Sequence, residues 1–338
     1  MSNRPPEPSP QLFFDTVNAY QRTAAIKAAI ELDLFSAIGE GKETAKELAE
    51  RCVASERGIR ILCDYLVVLG FLTKQDGRYH LTQDSAIFLD RQSPAYAGGA
   101  TEFLLSPMLA EGFKDIAAAV RQGGTVMHEE GTIAPDHPVW VQFARGMAGL
   151  MTMPAQMMAK LIDAELERKL KVLDIAAGHG VFGIAVAERF QNAEIVALDW
   201  PNVLEVAKEN AQKAGVSDRY STIQGSAFEV EFGSNYDLIL LTNFLHHFDE
   251  ATCVGLLQKI HKSLADGGKV MTAEFVPDEG RVTPPGAAAF SMVMLVSTPQ
   301  GDAYTFAQLD EMFREAGFSR SELHQLPPTP QQLLISEK

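Results

Sequence analysis

The chain has 338 residues, 46% of them hydrophobic and 22% charged, the make-up of a folded globular protein of roughly two domains. Lys and Arg number 29 against 44 Asp and Glu, a net charge of −15, so the surface on average repels phosphate backbones and anionic lipid, and neither nucleic acid nor a membrane is expected as a partner. Cys52, Cys63 and Cys253 are scattered outside any C-x-x-C pair, which excludes a disulfide framework and a zinc ribbon.

Met1–Pro10 is polar and proline-rich, without the apolar run of a signal peptide. The longest uncharged stretch, Val282–Gly301, is broken by prolines, and its apolar centre Ala287–Val296 is too short to span a bilayer. The expectation is a soluble, cytoplasmic protein. Residues 1–100 read helical and then turn to a short β pattern. Apolar residues recur at helical spacing over Ala24–Ile38, and Thr44 with Glu47 forms a capping-box signature. A helix over about Glu56–Leu69 stops at Gly70, and a hairpin turns at Asp76-Gly77. This is a winged-helix pattern. Its 11 basic and 13 acidic residues leave no cationic stripe, so self-association into a homodimer is expected in place of DNA binding.

Residues 101–165 read as a helical connector rich in methionine, in which Trp140, Phe143, Met147 and Met151 share a helix face. That stripe is either helix core or a pliable wall for a flat ligand. From 166 to 338 strands alternate with helices: Lys171–Ala177, Glu194–Trp200, Tyr220–Ala227, Tyr236–Asn243 and Lys269–Pro277 are β-rich. Helical segments at Val181–Phe190, Val203–Ala214 and Glu250–Leu264 separate most of them. The fold class is therefore α/β, a Rossmann-like domain with a mostly parallel sheet. Two runs, Glu322–Leu326 and Gln332–Ser336, predict a closing antiparallel hairpin.

Ligands of such sheets bind beyond the carboxyl ends of the strands. Five strand ends carry polar or small residues: Asp174 with Ala177, Gly178 and Gly180; Asp199 with Trp200; Ser226, Ala227 and Phe228; Thr242 with His246 and His247; and Glu274. Gly178-x-Gly180-x-x-Gly183, with Asp199 further on, also matches a dinucleotide fingerprint, so NAD stands as one reading. Asp174 favours the other, because a carboxylate there suits a cofactor bearing a sulfonium or ammonium better than an anionic pyrophosphate.

Several segments together carry a resemblance. VLDIAAGHG (172–180), LDWPNVLEVA (198–207), NFLHHF (243–248), FARGM (143–147) and FREAGF (313–318) resemble the S-adenosylmethionine-dependent small-molecule O-methyltransferases of the caffeic-acid, acetylserotonin, hydroxyneurosporene and polyketide types. The resemblance covers nearly the whole chain. It implies that Ala177, Gly178 and Gly180 pack on the methionine part of the cofactor and that Asp199 holds the ribose. Trp200 would cover the adenine, Ser226, Ala227 and Phe228 would face its other side, and Thr242 would lie nearby. It further implies His246 as general base with Glu274 as its partner, and Phe143, Met147, Phe290 and Met294 around a small-molecule acceptor.

The chain departs from that family's usual residues at several points: Ser226 stands for an Asp, Ala176 and Ala177 for glycines, His247 for an Asp, and Ala303 for a second acid beside the base. A phenol has a pKa near 10 and an imidazole near 6.5, so the base must be held within hydrogen-bond reach for the transfer. No metal is expected, because consecutive residues of an extended segment face opposite ways and His246 and His247 could not both reach one ion. The competing readings are a cofactor-binding protein on this scaffold that has lost or changed methyl transfer, and an NAD-dependent oxidoreductase.

Overall fold

A computed structural model describes residues 8–127, 131–133, 137–327 and 329–338. Residues 1–7 of the proline-rich start, and 128–130 and 134–136 of the helical connector, lie outside the described residues. The chain divides into two compact units, Met1–Thr101 and Glu102–Lys338.

In the first unit the helix expected over Ala24–Ile38 is two helices, Ala19–Glu31 and Leu34–Gly39. The break is Asp33, whose φ of 55° is left-handed, a conformation that Asp tolerates better than most residues. Its carboxylate is clasped by Arg51 at 3.0 Å and Arg91 at 3.1 Å. The capping box of Thr44 and Glu47 starts the Ala45–Arg51 helix as predicted. The Glu56–Leu69 helix ends at a left-handed Gly70. The hairpin of β1 (Leu72–Gln75) and β2 (Arg78–Leu81) turns through Asp76 and Gly77, both with positive φ, which matches the right-handed twist of its strands. Leu34, Phe35, Leu48, Ile59, Leu66, Leu72 and Tyr79 form its core. Leu12, Phe13, Phe14, Val17 and Tyr20 remain exposed.

The second unit is built on a seven-stranded sheet. Its strands are β3 (Lys171–Ile175), β4 (Glu194–Asp199), β5 (Tyr220–Gln224), β6 (Tyr236–Thr242), β7 (Leu264–Glu274), β8 (Arg320–Gln325) and β9 (Gln332–Glu337). They lie in the order β5-β4-β3-β6-β7-β9-β8, and only β9, antiparallel to both of its neighbours β7 and β8, runs against the others. From β3 the chain winds outward through β4 and β5 and then returns to β6 on the other side. That switch point opens a crevice at the carboxyl ends of β3 and β6. The strand expected to start at Lys269 begins at Leu264, with the pairing shifted in register between Tyr236 and Leu238. Both sheet faces are covered by apolar clusters, one holding Ile239, Leu257 and Phe313, the other Val172, Phe182 and Met158. Among the described residues no helix is long and apolar enough to cross a membrane.

Three backbone features shape the loop after β3. Gly180 (φ 74°) begins the Val181–Arg189 helix, and a Cβ there would lie 2.5 Å from the Tyr220 hydroxyl. Gly183 lets the same helix approach β3 and β4: a Cβ would lie 2.9 Å from both Asp174 Oδ2 and Ile195 Cγ2. The Gly183 amide instead donates to Asp174 at 3.1 Å. Ala176, however, carries a left-handed φ of 53°, which costs a residue with a side chain roughly 1–2 kcal/mol. Replacing Ala176 with Gly removes that strain and restores about 0.5–1 kcal/mol of chain entropy to the unfolded state. Ala176→Gly is therefore expected to raise stability slightly, by about 0.5–1 kcal/mol. A thermal melt in which this variant unfolds at a lower temperature than the wild type contradicts the account.

Candidate active site

Glu274 ends β7 and His246 lies in the turn that follows β6. The two strands are adjacent and parallel, with Thr242 opposite Ala273, so their carboxyl ends bring the two side chains together. His246 Nδ1 lies 2.5 Å from Glu274 Oε2, and both residues are buried. The other carboxylate oxygen accepts from the backbone amides of Phe244 (3.0 Å) and Leu245 (2.9 Å). With the carboxylate ionised it has no donor, so the shared proton lies on Nδ1, and a neutral ring then keeps its lone pair on Nε2. The hydrogen bond of the ring among the described residues is that of Nδ1. Ala303, where the resemblance placed a second acid, is buried, and Glu274 is the only carboxylate bonded to the ring among the described residues.

The turn corrects one expectation. Leu245–His247 is a 3₁₀ turn, not an extended segment, and in a three-residue turn consecutive side chains diverge by a third of a circle. The His246 and His247 rings consequently sit side by side, 4.3 Å between centroids. His247 is 8% exposed, and its Nδ1 is buried without a partner. Burial, with the neighbouring His246, holds its pKa well below the usual value. Among the described residues no group of three His, Cys, Asp or Glu is placed to hold a metal ion.

Rings surround the pair. Phe290 stands edge-on to His246 at 4.8 Å and stacks on Phe275 at 3.8 Å. Trp140 meets His247 edge-on at 5.1 Å, and its indole nitrogen donates to the Thr132 carbonyl. Phe143 packs on Trp140 and stacks on His179 of the glycine loop; a Cβ on Gly178 would touch it at 3.4 Å. The expected stripe thus divides. Trp140 and Phe143 face the site, whereas Met147 packs against the core cluster of Met151, Met158 and Phe182. Met294 is buried on the Pro285–Ser297 helix that also carries Phe290.

At the other end of the crevice, Asp199 Oδ2 accepts from Gly178 N (2.8 Å) and Oδ1 from Trp200 N (2.7 Å). Each oxygen retains acceptor capacity, and the residue is only half-buried, so two hydroxyls can approach it. Desolvation pushes its carboxyl up to about 6 against the pull of the two amides. Asp174 is fully buried beneath the loop with Oδ1 unpartnered, and burial raises it to about 7. Neither acid has a cationic partner among the described residues. The site therefore gains from a positive ligand and loses from another anion.

Ala177 is buried, and its amide donates to Leu198 O while its carbonyl accepts from Gly180 N. Trp200 packs on Val203 and Ala144. Ser226 Oγ accepts from Phe228 N, Ala227 O accepts from Lys259 Nζ, and Phe228 is 40% exposed. Thr242 is buried at the end of β6.

Sequence reasoning missed three contributors. Trp140 belongs to the stripe read as core or wall but is not singled out there as a site residue, and Phe275 has only its position beside Glu274 as a signal. His179 is buried between Phe143 and Phe182, which lowers its pKa to about 4; nothing in the sequence marks it apart from its place in the loop.

Residues 113–319 match the family model of an O-methyltransferase domain and residues 14–91 that of an O-methyltransferase dimerisation domain. The chain is 30% identical to the 3-hydroxy-5-methyl-1-naphthoate 3-O-methyltransferase of Streptomyces sahachiroi, over 92% of this chain and 90% of that one. A provisionally assigned O-methyltransferase from Nostoc punctiforme is 59% identical in its crystal structure, with a TM-score of 0.94 over 98% of this chain and all of the other. Human N-acetylserotonin methyltransferase in complex with SAM shares the fold at 21% identity, with a TM-score of 0.85 over all of this chain and 99% of that one. These matches close the dinucleotide reading of the glycine loop. The chain belongs to the S-adenosylmethionine-dependent O-methyltransferases of small molecules.

Proposed function

We propose that the chain methylates a hydroxyl of an aromatic or polyketide-like small molecule, with His246 as general base. The observation that carries this reading is the buried 2.5 Å contact of His246 with Glu274 at the ring-lined strand ends. The Streptomyces relative, named for a hydroxynaphthoate substrate, points to the same acceptor class. S-Adenosylmethionine, when bound, supplies a methyl carbon activated by its sulfonium. Asp199 would hold the ribose hydroxyls, and Ala177, Gly178 and Gly180 would line its methionine part with Asp174 beneath them. Trp200, Ser226, Ala227 and Phe228 would border the adenine, with Thr242 nearby.

His246 Nε2 would take the acceptor's proton while Glu274 stabilises the imidazolium that forms, as a buried acid does in a catalytic triad. Phe290, Phe143 and Trp140 would hold a flat acceptor and keep water from the reacting oxygen, leaving alignment of the reactants as the other source of rate; Met147 and Met294 would support that wall from behind. Three free thiols fit a reducing, cytoplasmic setting. The dimerisation segment, with its exposed Phe14, Val17 and Tyr20 and the exposed Leu12 and Phe13 just before it, supports a homodimer.

Asp199→Ala should weaken S-adenosylhomocysteine binding by about 1.5–3 kcal/mol for each charge-assisted hydrogen bond lost. Calorimetric titration giving wild-type affinity for that variant would place the ribose elsewhere. His246→Ala should lower kcat by roughly 10²–10⁴, with cofactor affinity retained. Glu274→Gln tests the pairing by another route. If the amide oxygen keeps the two turn amides, its NH₂ faces Nδ1 and drives the proton to Nε2, the wrong tautomer for a base. A similar loss of roughly 10²–10⁴ is expected. A panel of phenols and hydroxyquinones assayed for methyl incorporation supplies the test, and equal turnover by wild type and His246→Ala would remove the base. Light scattering at micromolar concentration should give twice the 36.9 kDa chain mass; a monomer refutes the dimer.

A further inference from the structure

Resting on that reading of His246, we infer that His247 is a second polar contact for the acceptor. Its imidazole donates a hydrogen bond to an oxygen beside the reacting hydroxyl and so selects acceptors whose hydroxyl is ortho or peri to a carbonyl. His247 shares the 3₁₀ turn with His246, and the two rings are 4.3 Å apart. Trp140 covers its edge and Phe248 lies 6.2 Å away, while no acid or base other than His246 touches the ring among the described residues. The ring is therefore neutral, with one donor and one acceptor nitrogen.

Nδ1 is buried without a partner. A buried amine-type N–H without an acceptor is rarer and costlier than a buried lone pair, which assigns the proton to Nε2. The two neighbouring rings thus carry opposite hydrogen-bonding groups, a lone pair on His246 Nε2 and an N–H on His247 Nε2. A hydroxyl beside a carbonyl offers the complementary pair: a proton to remove and an oxygen that accepts. In such a compound the hydroxyl bonds internally to the carbonyl. A donor to that carbonyl competes for the oxygen, frees the proton for His246 and draws charge from the oxygen left behind. The proton passes from the acceptor to His246 Nε2, and His247 changes neither its charge nor its proton count.

The test compares 1-hydroxyanthraquinone, whose hydroxyl adjoins a carbonyl, with 2-hydroxyanthraquinone, whose hydroxyl does not. Methyl transfer and equilibrium binding to the protein loaded with S-adenosylhomocysteine are measured for wild type, His247→Leu and His247→Asn. Wild type should favour the 1-hydroxy compound roughly tenfold in kcat/KM and in affinity, the worth of about one hydrogen bond in a dry site. His247→Leu should abolish the preference, and His247→Asn, whose amide can donate, should restore part of it. Unchanged S-adenosylhomocysteine affinity in both variants shows that they fold. A preference that survives in His247→Leu, or its absence in the wild type, overturns the inference while the proposed reaction stands. Turnover of neither compound removes the proposed reaction for this acceptor class, and the inference is then decided by binding: equal affinities, including none, overturn it.

Discussion

The Glu274 carboxylate is the contact on which the site depends. One oxygen is occupied by the Phe244 and Leu245 amides, the other by the His246 ring. The same side chain thus fixes the backbone of the turn and the orientation of the imidazole that the turn carries. Removing water from an anion is costly unless its lone pairs are satisfied, and here three donors do so. Cys253 supports the turn from beneath, with its thiol 3.3 Å from the Leu245 carbonyl, and Tyr304 bonds the Phe248 carbonyl just after it. Gly301 packs so close to the His246 carbonyl that no side chain fits between them. The turn is therefore held on several sides, which fixes the position of the ring it carries.

The glycine loop obeys a different constraint. Asp199 holds it through the Gly178 amide, and Asn210 bonds the His179 carbonyl. Two acids, Asp174 and Asp199, lie in a region of low polarity without cations, and their carboxyls rise accordingly. Between these acids and the paired histidines runs a line of rings: Phe290, His246, His247, Trp140, Phe143 and His179. One end suits a cation, the other is lined by flat rings, and the aromatic wall joins them.

Much of this was legible from residue types and spacing. Strand ends announce themselves through an apolar run that stops at a polar or small residue, so Asp174, Asp199 and Glu274 stood out. The Glu56–Leu69 helix, with its serine start and glycine stop, was readable because its local signals agree with the tertiary fold. The break at Asp33 was not, because the helical period continues through it and the arginines that stabilise the bend lie 18 and 58 residues away in sequence. The placement of His247 failed for a related reason. NFLHHF reads as extended by pattern, but Glu274, from a neighbouring strand, gathers its amides into a turn. Met147 shows what periodicity leaves open: the spacing is the same for wall and core, and this half-buried side chain packs against the core cluster.

The strand order has a consequence for biosynthesis. Among the sheet's strands β9 is made last, yet it lies inside the sheet, bonded to β7 on one side and β8 on the other. Until it emerges from the ribosome, β7 has an open edge running up to Glu274, whose place in the register is opposite Gln332. An unpaired strand edge invites pairing with another chain, and nascent domains are exposed to that hazard while their last elements are missing. Glu274 thus stands at the end of an edge that stays open until β9 is added. A ribosome that stops a few codons short of β9 would release a chain with its glycine loop complete and the strand bearing Glu274 unsealed.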